Sequence, residues 1–200
     1  MKNRISQKGK RFCSDYIEYE KAMLKGSELL WSDKQTILGF YVIFAINTGL
    51  RVSDILSRKH SELVNIKSGD YLSLTEKKTK KFKQIQINSK ITEAYLYLVK
   101  RLQETGKYNQ DGFVFTSQKG SVYAIESLNT ILKKTFSGYA EHISSHSLRK
   151  SFGRHVYEKN GQSENALTVL SEMLNHESLK TTRIYLGLRK QELGAVYMNL

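Results

Sequence analysis

Apolar side chains recur at two spacings along this chain, and the change from one to the other marks out its elements. Ile37 to Ile46 is a nearly unbroken apolar run, which predicts a helix buried on all sides over about residues 33–47. Ser32-Asp-Lys-Gln35 offers that helix a capping box, and Thr48-Gly-Leu-Arg51 ends it. Residues 14–25 are expected to form a short helix, and Ser53 to cap another through Ser57. Alternation in Tyr71–Thr75 and Phe82–Asn88 predicts two paired strands around a lysine-rich turn. Ile91, Ala94, Tyr95, Leu98, Val99 and Leu102 then fall at helical spacing, which predicts a helix over 90–104. Phe113-Val-Phe115 suits a short strand. Two further stripes, Ile125, Leu128, Ile131, Leu132 and Ala166, Val169, Leu170, Met173, Leu174, flank a helix that begins near His146. The expected fold is mainly α with a small antiparallel β-sheet.

Neither a proline nor a repeat nor a low-complexity linker breaks the pattern, so residues 30–200 read as one unit behind a basic arm or short helix at 1–29. Composition narrows the partners. A net charge of +13, from 32 Lys and Arg against 19 Asp and Glu, favours a polyanion, with nucleic acid ahead of an anionic membrane. The single cysteine, Cys13, excludes an intrachain disulfide and a four-cysteine zinc site, which fits a reducing cytoplasm. No apolar stretch follows the basic amino terminus as a secretory signal requires, and Ile37–Ile46 is about half of a bilayer crossing.

The candidate chemistry lies between His146 and Tyr185. His146 and Arg149, three apart at a helix start, point to one side, and Gly153 follows on that face, where it suits either close approach of a nucleic-acid backbone or tight helix packing. Leu174-Asn-His176 and Thr181-Thr-Arg-Ile-Tyr185 complete the stretch. Arginine forks match phosphate oxygens, so Arg51 and Arg149 are candidates to clamp a phosphodiester. A metalloprotease reading of His176-Glu177 fails because Lys180 stands where a second histidine is needed, and no metal or cofactor is expected.

Thr-Gly-Leu-Arg51-Val-Ser-Asp54, the lysine turn, His146-x-x-Arg149, Leu-x-His176 and Tyr185 nine residues later resemble, in order, the motif set of the tyrosine recombinase (phage integrase) family over roughly residues 30–190. The resemblance implies a catalytic-domain fold and the transfer of DNA strands through a 3′-phosphotyrosine on Tyr185. It implies His146 and His176 as phosphate or proton-transfer partners, and no ATP. Among Lys77, Lys78, Lys80, Lys81 and Lys83, the Lys78-Thr79 pair most resembles the family's leaving-group acid, with Lys77 and Lys80 as rivals. The other turn lysines and Lys150 are expected to touch DNA, and Asp54 to orient His146 or an arginine.

Asn175 replaces the usual glycine before the histidine, and Lys150 stands where many relatives have another histidine. Relatives of this kind work on double-stranded DNA, four protomers on two sites, sometimes with DNA-bending accessory proteins. Most carry a separate amino-terminal DNA-clamping domain. None is expected here, so the chain is either a fragment or short, like the fimbrial phase-switch recombinases. Leu193, Val196, Tyr197 and Leu200 have the spacing of a tail helix that packs in cis or docks on a neighbouring protomer. Two alternatives stay open: a non-catalytic helix-turn-helix binder over Leu170–Tyr185, and a nicking-closing enzyme of the type IB topoisomerase kind.

Overall fold

A computed structural model describes residues 14–188, 194 and 196–198. The helices are α1 (Tyr19–Leu30), α2 (Thr36–Thr48), α3 (Val52–Ile55), α4 (Ser89–Glu104), α5 (Ile125–Thr135), α6 (Ser145–Lys159), α7 (Glu164–Met173) and α8 (Leu179–Leu186). The strands are β1 (Tyr71–Thr75) and β2 (Phe82–Gln86), paired antiparallel with Thr75 opposite Phe82 and Tyr71 opposite Gln86. None of the described helices is long and apolar enough to cross a membrane.

The core is built around α2, eleven of whose 13 residues are buried, so its all-round apolar sequence finds apolar neighbours on every side. α1 crosses α2 at Gly39, where a Cβ would fall 2.1 Å from the Leu30 nitrogen. α4 lays Ile91, Ala94, Tyr95, Leu98 and Leu102 into the same core, and the Asn88 side chain caps it by accepting from the Ile91 N–H at 3.1 Å. A second, smaller core gathers Phe152, Leu167, Leu170 and Leu186 from α6, α7 and α8, with Leu174 and Leu188 from just beyond the ends of α7 and α8. There Gly153 serves packing: an added Cβ would lie 3.0 Å from Leu186.

Several local expectations change. The Ser32 capping box does not form; the Ser32 carbonyl accepts the Thr36 hydroxyl, and Gln35 precedes the helix without a side-chain cap. The first helix runs 19–30 rather than 14–25, and Ser53 sits inside α3 because Arg51 takes the cap position. Phe113-Val-Phe115 adds no strand to the sheet among the described residues; Phe113 forms an isolated bridge to Lys59, while Val114 and Phe115 are drawn into the core. Val169 and Met173 are partly exposed, so α7 buries a narrower stripe than expected. Leu193 and Leu200 of the expected tail helix lie outside the described residues, while Val196 and Tyr197 are exposed.

Candidate active site

Five separated segments bring their polar residues to one place where the two cores meet. The first follows α2. Gly49 ends that helix at φ 60°, and a Cβ there would lie 2.3 Å from the Phe152 ring, so both conformation and space demand glycine. The turn delivers Arg51 to the Glu76 carboxylate, an ion pair of 2.6 Å with Glu76 fully buried. Three residues on, buried Asp54 accepts the Lys77 N–H at 2.8 Å. This is not the expected contact to His146 or an arginine: the hydrogen bond of its carboxylate goes to the lysine turn.

The hairpin supplies two residues that sequence reasoning misplaced or missed. Lys83 was grouped with the turn lysines as a DNA contact, yet it lies on the inward face of β2, and its Nζ donates to the Met173 carbonyl at 2.5 Å. Burial, with Arg149 and Arg51 nearby, pulls its ammonium down to about 8. Glu76 escaped notice altogether. Burial pushes its carboxyl up, but the Thr79 hydroxyl and Arg51, aided by Lys83, outweigh burial and hold it below the ordinary value. The signal was available: Glu76, just past β1, continues the alternation of Leu72 and Leu74, which turns that face inward. Lys77, Lys78, Lys80 and Lys81 are exposed on the turn, with Lys80 at φ 58°.

Helix α6 begins at Ser144, whose hydroxyl accepts the His146 N–H at 3.2 Å. Buried Arg149, one turn later, donates to the carbonyls of Gly49 and, at 2.9 Å, of Leu174. Both carbonyls end helices, where the partial negative charge of the helix dipole collects, so they help to hold a buried cation. The Tyr185 phenol also acts on Arg149 favourably. Partial burial and the charges of Arg149, Lys78, Arg51 and Lys150 hold the His146 imidazole below its ordinary value. Among the lysines exposed on the turn, Lys78 is one whose charge acts on His146.

Helix α7 ends in a Schellman turn: Asn175 sits at φ 53°, its N–H bonds the Glu172 carbonyl, and the His176 N–H bonds the Ser171 carbonyl, both at 2.9 Å. Asparagine tolerates this left-handed position, so the departure from glycine preserves the backbone course. His176 meets the Tyr185 ring edge to face at 5.3 Å, and its Nδ1 lies 2.9 Å from the Thr182 hydroxyl. Lys150, expected to contact DNA, is buried with its Nζ 5.5 Å from the Tyr185 ring centroid. Leu170–Tyr185 is indeed two helices and a turn, but its turn and second helix carry His176 and Tyr185 into the cation cluster.

Burial, then the arginines and Lys83, lower the His176 imidazole to about 4, and burial alone takes His60 in the main core to about 4. Above pH 6.5 both rings are neutral in the folded and unfolded chain. Between 6.5 and 4 the unfolded chain binds protons that the folded chain refuses, so stability falls as pH falls through that window. Urea midpoints at pH 7 and 5 will show the decline, and His176→Phe should make it shallower.

Arg51, Arg149 and Lys83 carry three positive charges against the two of Asp54 and Glu76, and Lys78 and Lys150 add to the positive side, so the site keeps a positive surplus that Glu76 helps to offset. Removing the Glu76 charge should therefore be costly. Glu76→Gln is expected to lose about 3 kcal/mol of unfolding free energy, as buried pairs do when one partner is neutralised. A urea transition within 0.5 kcal/mol of wild type, well under that loss, would show that the carboxylate does not compensate the arginine.

Residues 22–192 match the model of the phage integrase family, and the chain belongs to that family of tyrosine recombinases through its catalytic domain. It is 29% identical over 158 residues to the probable integrase/recombinase YoeC of Bacillus subtilis (strain 168), covering 79% of this chain and 81% of YoeC. It is 30% identical over 159 residues to the tyrosine recombinase XerC of Bacillus pumilus (strain SAFR-032), covering 76% of this chain but only 50% of that one. In fold it resembles the XerH site-specific recombinase in a post-cleavage complex with a difH substrate, at a TM-score of 0.69 and 22% identity over 96% of this chain and 55% of XerH. A lambda integrase dimer bound to a core site gives 0.60 and 19%, over 88% of this chain and 60% of that one. The chain thus spans about half the length of the XerC and XerH proteins.

Proposed function

We propose that the chain is a site-specific DNA recombinase that cuts and rejoins double-stranded DNA through a 3′-phosphotyrosine. The observation that carries this reading is the gathering of Arg51, Arg149, His146, His176 and Tyr185 in one electropositive cluster. Arg51 and Arg149 clamp the non-bridging oxygens and stabilise the charge that grows on them as phosphorus becomes five-coordinate. The Tyr185 oxygen attacks phosphorus as its proton passes to the neutral His146 imidazole; the bond from phosphorus to the 5′ oxygen breaks, and Lys78 protonates that oxygen. Arg149 and Lys150 stabilise negative charge on the phenol oxygen during attack. The diester energy is conserved in the tyrosyl link, so rejoining needs no ATP.

Integration, excision and inversion share this chemistry, and the reading extends to a homotetramer on paired sites, with accessory DNA-bending proteins, working at the nucleoid in the cytoplasm. The test is capture of DNA fragments on nicked suicide substrates in the presence of EDTA, with each strand end-labelled in turn. The expected product is protein joined to a 3′ end. DNA binding without any adduct across the fragment pool would favour the non-catalytic reading, and relaxation of supercoils without paired sites would favour a nicking-closing enzyme.

A further inference from the structure

We infer that Thr182 fixes the ring tautomer of His176, so that the neutral imidazole presents an Nε2–H to the scissile phosphate and acts as a hydrogen-bond donor rather than a base. The inference rests on the reading of the pocket as a phosphodiester site given above. Thr182 lies in α8, three residues before Tyr185 and therefore on the same side of that helix. Its side chain is fully buried, and among the described residues the partner of its hydroxyl is His176 Nδ1, at 2.9 Å.

The two tautomers are unequal in this setting. If Nδ1 carried the proton, it would donate to the Thr182 oxygen, and the proton of that fully buried hydroxyl would be left without an acceptor among the described residues. An unsatisfied buried donor disfavours that arrangement by roughly ten-fold or more. If the hydroxyl donates to Nδ1, both groups are satisfied and the ring proton sits on Nε2. With Nδ1 occupied, Nε2 is the nitrogen left for a ligand among the charges of Arg149, Arg51 and Lys83.

Such surroundings favour an oxyanion as the acceptor and disfavour a second cation, which keeps the ring neutral as it donates. A ring whose only free nitrogen already bears a proton cannot take one from Tyr185. His146, whose imidazole is also held neutral, remains as the histidine able to accept it. Thr182 is accordingly a positioning residue: it ties the His176 ring to the helix that carries the nucleophile, and it selects which nitrogen faces the phosphate.

The experiment reads the ring directly. Long-range proton–nitrogen correlation spectra of the full chain without DNA, assigned by loss of the His176→Gln signals, should show a pyridine-like Nδ1 and a pyrrole-like Nε2. The opposite pattern would overturn the inference. Thr182→Val keeps the branched shape and removes the hydroxyl; it should shift the ring towards a mixture of tautomers, and Thr182→Ser should restore the wild-type pattern. An unchanged pattern in Thr182→Val would also overturn it. Should Thr182→Val fail to fold, the wild-type and Thr182→Ser spectra still decide the matter.

On a suicide substrate, Thr182→Val should slow adduct formation about ten-fold at saturating DNA with Kd unchanged, and a wild-type rate would reject the positioning role. If the wild-type protein forms no adduct while the ring shows the expected tautomer, the DNA-cleavage reading fails and the Thr182 assignment stands.

Discussion

Replacing Tyr185 by phenylalanine should abolish the covalent adduct and leave DNA binding intact. The ring contributes an apolar face to the second core and an edge-to-face contact with His176, both of which phenylalanine keeps. Only the oxygen is lost, and with it the attacking atom. The Thr182 hydroxyl beside His176 does not inherit the role, because it is fully buried and bonded to the ring. A nicked suicide substrate should therefore trap the wild-type protein and not the variant, while both retard the same duplex equally. An adduct formed by Tyr185→Phe would mean that another residue is the nucleophile.

Lys78→Ala is expected to slow cleavage of ordinary DNA by roughly 10² to 10⁴, the usual worth of general acid catalysis. A substrate with sulfur at the 5′-bridging position releases a thiolate that needs no proton, so it should recover most of the lost rate. Lys83→Met provides the contrast. Its ammonium is spent on the Met173 carbonyl beneath the site, so its loss disturbs assembly and should slow both substrates alike. If the sulfur substrate rescued Lys83→Met and not Lys78→Ala, the acid would be the buried lysine.

Most of the helices, the hairpin and the order of the pocket residues were legible because each rests on local rules. The apolar run of α2, the alternation of β1 and β2 and the stripe of α4 are properties of neighbouring residues. What escaped were features decided by distant contacts. Whether Phe113-Val-Phe115 becomes a strand depends on finding an edge to pair with, and Lys59 offers only a single bridge. Lys83 reads as one more turn lysine until its register places it under the arginines. Glu76 looks like an ordinary turn carboxylate until Arg51, 25 positions earlier, arrives beside it. The sequence points to His146 or an arginine as the partner of Asp54, whereas its partner is a backbone N–H, which no side-chain pattern announces. Asn175 looked like a departure from the family and proved to be another residue able to hold the same left-handed turn.

Arg51 and Asp54, one turn apart at α3, grasp the hairpin at two consecutive residues, Glu76 and Lys77, immediately before Lys78. On the proposed roles, with Arg51 as the phosphate clamp and Lys78 as the acid, the two are coupled mechanically. A movement that withdraws Lys78 by swinging the hairpin from its base strips Arg51 of its carboxylate in the same stroke, whereas a movement confined to the tip changes only the reach of the lysine side chain. Disengaging the hairpin switches off two functions together, and a protomer in that posture would be poor both at holding a phosphate and at releasing a 5′ end.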